Sequence, residues 1–239
     1  MNPEVIIVGG SYAGIAAGLI LARARRPVTI IDSGLPRNRA ASHSHGVPGQ
    51  DGVSGAELLK NARQQLLDYP TVRWLQGEVV HAQANADGVD VRTADGQVLA
   101  ARKLLLATGI ADQLPDLPGL AERWGSTVLH CPYCHGYEVG GGAIGLLGGH
   151  PMSAAKATLF ADWGNVTFFS QGLPISDEEQ AAMQQRGVQI ETTPVVGVQG
   201  EQPTWLEVEL ADGRRIAQRA LFVPAMQQMA TPLVQQLGC

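Results

Sequence analysis

Cysteine is scarce: the chain has three in 239 residues. Three thiols do not make a disulfide framework. No apolar stretch reaches the ~18 residues of a membrane span. The start, Met1 to Gly10, shows no basic region ahead of a long apolar segment, so no secretory signal is read and a cytoplasmic location is expected. No Lys/Arg-rich run occurs and the formal net charge is −5, which argues against nucleic acid and anionic membrane as partners. Aromatic residues are only 5% of the chain, against 45% hydrophobic residues in all. Ala, Val, Leu and Gly fill the apolar positions instead, as in α/β sheets with closely packed helices.

What is present is an ordered series. The run Glu4–Val8 is followed by Gly9-Gly10-Ser11-Tyr12-Ala13-Gly14, a helical pattern over Ile15–Arg23, and a second apolar run, Val28–Ile31, ending at Asp32. Strand, glycine turn, helix, strand and acid make the first unit of a dinucleotide-binding fold. Ser54 with Glu57 reads as a capping box for a helix ending before Pro70. Strands are predicted at Val72–Leu75 and Glu78–His81, then a hairpin turned at Asp95-Gly96 and a buried strand at Leu104–Ala107. Pro115 and Pro118 mark a linker. The order then repeats: strand Ala143–Leu147, turn Gly148-Gly149, helix Met152–Trp163, strand Val166–Phe169, a second capping box at Ser176 and Glu179, strands Val188–Thr192 and Val195–Gln199, a hairpin turned at Asp212-Gly213, and strand Leu221–Val223. The repeat predicts an α/β chain of two Rossmann-like (ββα three-layer) nucleotide-binding domains in tandem. One spans 1–113 and resumes at 226–239; the other spans 114–225.

The first glycine turn departs from G-x-G-x-x-G only at Ser11, small enough for a pyrophosphate to approach the backbone. Its position after a strand and before a helix, with Asp32 placed for a ribose hydroxyl, points to nucleotide binding. The second turn, Gly148-Gly149-His150-Pro151-Met152-Ser153, is degraded. A β-carbon and imidazole at position 150 crowd the phosphate path. Ser170-Gln171-Gly172 after the next strand offers neither a carboxylate for a ribose nor an arginine for a 2′-phosphate.

Between the two lies Cys131-Pro132-Tyr133-Cys134-His135. Three chemistries fit these letters: a redox dithiol, a haem attachment site, and part of a zinc site. Haem fits poorly with the missing export signal and leaves the nucleotide motif unexplained. Zinc lacks further ligands, and no metal site is expected. The dithiol reading has His130 and His135 beside it for proton transfer near neutral pH. His43 and His45 read as a polar loop tip, and Cys239 as an uninvolved thiol.

These residues resemble the low-molecular-weight thioredoxin reductase-like flavoproteins over essentially the whole chain. The branch most alike oxidises small-molecule dithiols, as in gliotoxin and holomycin biosynthesis. The carriers are the opening IIVGGSYAG, Asp32, Pro36-Arg37-Asn38, the Ser42–Gly46 loop, Ala107-Thr108-Gly109 and, most specifically, CPYCHGYE. Thioredoxin reductases proper usually have Ala-Thr between the cysteines and Asp after them. The resemblance implies FAD in the first domain. Gly9, Ser11, Tyr12, Ala13 and Gly14 would surround the pyrophosphate, with Asp32 and Ser33 at the adenosine ribose. Arg37, Asn38 and His45 would lie on the flavin side, Val80 at the adenine, and Ala107, Thr108 and Gly109 along the nucleotide. Cys134 would face the flavin, Cys131 would exchange with substrate, and His135 would be the general acid. The features that hold NADPH in those reductases are missing, which argues against NADP(H) here. The family's C-terminal Gly-Asp segment is also missing, so the FAD domain is expected to lack the part that completes its flavin site.

The expected activity is oxidation of a small-molecule dithiol through the Cys131–Cys134 pair, with electrons passing to oxygen. The alternatives are an NADPH-driven reductase of a thioredoxin-like protein, and a catalytically silent redox sensor. The resemblance implies a homodimer.

Overall fold

The computed structural model of the chain describes residues 3–200 and 205–239. It separates into two compact units: 1–39, 53–111 and 227–239 form the first, and 40–52 with 112–226 the second. The segment 40–52, which the sequence assigns to the first domain, thus groups with the second unit. Its anchors there are His45, whose Nε2 lies 3.3 Å from a Glu138 carboxylate oxygen, and Ala40, packed so tightly on Gly125 that a β-carbon on the glycine would lie 2.6 Å from that of Ala40.

In the first unit, β1 (Val5–Val8), β2 (Val28–Asp32), β3 (Val72–Gln76) and β7 (Lys103–Leu106) form a parallel sheet in the order β3-β2-β1-β7. Val5 pairs with Val28 on one side and Lys103 on the other. Strand periodicity of two divides the apolar residues between faces. Val5, Ile7, Val28 and Ile30 pack with Ile15 and Ala22 of helix α1 (Tyr12–Arg23) and Leu66 of α2 (Gly55–Leu67). Ile6, Val8 and Ile31 pack with Val79, Val89 and Val91 of an antiparallel ribbon, β4 (Val79–Asn85), β5 (Gly88–Thr93) and β6 (Val98–Ala101). Helices, sheet and ribbon are the three expected layers. Ser54 caps α2 by accepting a bond from the Glu57 backbone N–H.

The second unit repeats the plan. After β8 (Ile110–Gln113), strands β9 (Val128–Leu129), β10 (Ala143–Leu147), β11 (Asn165–Phe169), β12 (Gln189–Glu191) and β16 (Ala220–Phe222) form a parallel sheet in the order β12-β11-β10-β16-β9. Ile144, Leu146, Val166, Phe168 and Phe222 face helices α4 (Ser153–Phe160) and α5 (Asp177–Gln185). Leu147, Phe169 and Leu221 face the ribbon β13 (Val195–Gln199), β14 (Leu206–Leu210) and β15 (Arg215–Gln218). Both halves of the Ser176–Glu179 capping box form on α5. The chain ends in β17 (Met226–Met229) and α6 (Leu233–Leu237), whose Leu233 is fully buried in the first unit. No helix among the described residues is long and apolar enough to cross a membrane.

The sequence predicts neither β17 nor α6, nor a helix over the cysteines. That helix, α3 (Pro132–Val139), has eight residues. Pro132 starts it, where a missing N–H costs nothing. Gly136 sits inside it, where a helix former is expected, because the Trp163 ring fills the space: a β-carbon there would lie 2.4 Å from the ring. Helix α4 is shorter than Met152–Trp163: Met152 is its N-cap residue and Ala161 its C-cap residue.

Candidate active site and nucleotide turns

The first glycine turn is built so that only glycine fits. A β-carbon on Gly14 would lie 1.8 Å from the Gly9 carbonyl oxygen, and one on Gly9, at φ +106°, would lie 2.3 Å from the Ala107 oxygen. Ala107 is fixed there because its N–H continues the β1–β7 pairing by donating to the Val8 carbonyl at 2.8 Å. Ser11 is the N-cap of α1 but makes no side-chain cap bond, and the first turn of α1 carries no acidic residue. The helix end therefore keeps the free amides and partial positive charge that attract a phosphate. Asp32 accepts a 2.8 Å hydrogen bond from the Gly10 N–H, which holds its carboxylate at the mouth of the turn. Gly9, Gly10, Ser11, Gly14, Asp32, Ala107 and Thr108 thus come together. Tyr12 and Ala13 are exposed at the start of α1, and Ser33 and Gly109 are exposed as well. Arg37 and Asn38 occupy an exposed 3-10 turn, Arg37–Ala40. Val80 is 40% exposed, and its carbonyl accepts from Gln236 of α6.

One residue of this cluster carries no motif. Trp74 on β3 lies against the turn: a β-carbon on Gly10 would be 2.3 Å from its ring and 2.7 Å from the β-carbon of Asp32. The Arg63 guanidinium covers the ring at 4.2 Å.

The second turn also joins a parallel strand to a helix, but it fills itself. His150 Nδ1 accepts from the Met152 N–H at 3.1 Å, and the Ser153 hydroxyl accepts from the His150 N–H at 3.2 Å. Two amides that a phosphate would use are therefore taken by the turn's own side chains. After β11, Ser170 stands at the position that Asp32 holds in the first unit, and Gln171 follows it. Gln171 Oε1 accepts from the Val195 N–H at 2.7 Å and its Nε2 donates to the Val195 carbonyl at 3.4 Å, tying β11 to β13.

The cysteines stand at the start of α3. Cys131 is the N-cap residue, in extended conformation, and the Cys134 N–H donates to its carbonyl at 3.3 Å. Both are thiols; Cys131 is half-buried and Cys134 exposed. A helix start favours negative charge at these positions. Helical spacing puts Cys131, Cys134, His135 and Glu138 on one face. His135 is half-buried, and burial lowers its pKa from the ordinary 6.5; Glu138 pulls it back up and His45 pushes it down. The ring is held toward its neutral, proton-accepting form. His130 follows β9, and its Nδ1 donates to the Val223 carbonyl at 3.3 Å, as the pairing of Leu129 with Phe222 dictates.

His45, expected on the flavin side of the first domain, belongs to the second unit. Its Nε2 lies 3.3 Å from Glu138 and its Nδ1 3.5 Å from Asp51. The sequence singles out neither Glu138 nor Trp74. Glu138 follows His135 by three residues, a signal usable only once α3 is recognised.

The family model for pyridine nucleotide-disulphide oxidoreductases matches residues 3–239. An oxidoreductase structure from Agrobacterium tumefaciens is 43% identical and superposes with a TM-score of 0.95, covering 100% of this chain and 80% of that one. The structure of HlmI is 36% identical at a TM-score of 0.93, covering 100% and 76%. A curated relative, thioredoxin reductase tcpT of Claviceps purpurea, is 40% identical over 159 residues, 65% of this chain and 50% of its own length. The match spans about half of that relative.

Proposed function

Because the chain belongs to the pyridine nucleotide-disulphide oxidoreductase family, we propose that it oxidises a small-molecule dithiol to a disulfide through Cys131 and Cys134. The observation that carries this reading is the pair at the start of α3 with a half-buried His135 on the same helix face.

The reaction starts from the disulfide form of the pair. A substrate thiolate attacks the Cys131 sulfur, the Cys131–Cys134 bond breaks, and Cys134 leaves as a thiolate. Neutral His135 takes the proton of the second substrate thiol. That thiolate attacks the substrate sulfur of the mixed disulfide, closing the product and releasing Cys131. Two electrons then reside on the cysteine pair. FAD, when bound, would supply the two-electron acceptor that returns the pair to its disulfide, with oxygen as the proposed final acceptor. The residues for FAD are those of the first turn. Gly9 and Gly14 leave no room for a β-carbon, the uncapped start of α1 suits the pyrophosphate, and Asp32 suits a ribose hydroxyl.

The direction, oxidation rather than NADPH-driven reduction, is supported by the second turn. Its amides are used by His150 and Ser153, and Gln171 is committed to Val195. The reverse reading, a reductase, is favoured by the name of the relative tcpT. One experiment separates them. The FAD-loaded protein is mixed with NADPH under anaerobic conditions while flavin absorbance is followed, then given dithiothreitol in air with an oxygen electrode. The expected result is no bleaching by NADPH and oxygen uptake with the dithiol, abolished by Cys134→Ser. Bleaching by NADPH would overturn the oxidase direction.

A further inference from the structure

The second unit contains a cavity of about 570 Å³, within the usual range for small-molecule sites. Its walls come from the 40–52 segment, from α3 and from the start of β16. His135 lines it, one residue from Cys134 and one helical turn from Cys131. Leu129, Val139 and Ala220 supply apolar wall. Arg219 stands at the other end of α3, beside the C-cap Gly140.

The charges in this wall can be followed group by group. Glu138 is held by His45, and His45 is shared with Asp51. His43 Nδ1 is paired with the Ser42 hydroxyl at 2.9 Å. Burial holds His135 toward its neutral form. Arg219 is left: among the described residues no hydrogen bond or ion pair engages its guanidinium. Its placement is built into the backbone. The Arg219 N–H donates to the Ala143 carbonyl at 2.8 Å, and the side chain runs across Gly142, where a β-carbon would lie 2.2 Å from its Cδ. Gly142 clears the path for the arginine, and Gly140 and Gly141 before it turn the chain at φ +67° and +71°.

We propose that this cavity binds a dithiol bearing a carboxylate, with the carboxylate on Arg219 and the sulfurs at the start of α3. The planar guanidinium matches a carboxylate with two parallel hydrogen bonds. From Cys131 to Gly140 the helix rises about 13 Å, a span shortened by the reach of both side chains and bridged by a flexible acyl chain. The proposal rests on the dithiol reading above, and makes Arg219 the residue that selects among dithiols.

The test uses two probes that differ only in charge: dihydrolipoate and its neutral amide, dihydrolipoamide. Binding is measured by calorimetry on the Cys131→Ser/Cys134→Ser chain, where no turnover occurs. The acid is expected to bind about tenfold more tightly than the amide, or about 1.4 kcal/mol. Arg219→Met is expected to remove that preference and Arg219→Lys to keep part of it, with the amide's affinity unchanged in both. Equal binding of acid and amide to the Arg219 chain overturns the proposal. So does an Arg219→Met variant that loses affinity for both probes alike, with a lowered Tm, since that marks Arg219 as a structural cap of α3. Because the measurement needs neither FAD nor oxygen, a charge preference can survive failure of the oxidase reading, and the two outcomes are told apart.

Discussion

At the scale of single residues, His135 links chemistry to stability. Its pKa is lowered chiefly by burial. Above pH 6.5 the ring is neutral in folded and unfolded chains alike. As the pH falls below 6.5, the unfolded chain takes up a proton that the folded chain resists, so stability drops until the folded-state value is passed. The urea midpoint is therefore expected to fall between pH 7.5 and 5.5, and His135→Gln should remove part of that fall. An unchanged pH dependence in the variant would sink the assignment. What was legible at this scale is what a backbone demands locally. Gly9, Gly14 and Asp32 are recognisable because a tight strand–helix turn needs them in fixed order. Trp74, Glu138 and Arg219 were not, because what matters about each is a neighbour from a distant part of the chain: Gly10, His45 and Gly142.

At the scale of elements, the two glycine turns share a plan and differ in what meets their amides. In the first, the start of α1 has no side-chain cap; in the second, His150 and Ser153 bond two amides of the turn ahead of α4. Gly14→Ala should be severe, since its new carbon meets a backbone oxygen at 1.8 Å. The expected outcome is loss of bound flavin on desalting, read as absorbance of the eluted protein, with a lowered Tm. Gln171→Ala should act on stability alone. It strips the partner from the N–H of Val195, a residue only 3% exposed, at a cost of about 1–3 kcal/mol in urea unfolding. A loss below about 0.5 kcal/mol would mean that the clamp is idle. The degraded second turn was visible in the letters of the sequence, but not that His150 would fold back to cap it. Helix α3 was missed because Pro132 and Gly136 break the apolar period; its stability comes from packing against Trp163 rather than from propensity.

At the scale of the molecule, the repeated architecture was legible as an ordered series of strands, turns and capped helices, because period two and period 3.6 survive where identity does not. The membership of the 40–52 segment was not, since it shows only in contacts with distant residues, His45 with Glu138 and Ala40 with Gly125. Each unit has its own apolar clusters, on both faces of its own sheet. Thermal unfolding is therefore expected to show two transitions, of which added FAD raises only the one belonging to the first unit. A single transition shifted as a whole would refute this. The chain also carries its own means of telling them apart. Of the four tryptophans, Trp124, Trp163 and Trp205 fall in the second unit and only Trp74 in the first. Trp74 touches the very glycine whose amide holds Asp32. A variant keeping Trp74 as its lone indole thus has a built-in optical gauge. Its emission overlaps flavin absorption, so energy transfer dims it when the nucleotide turn is filled, and occupancy can be read without any label.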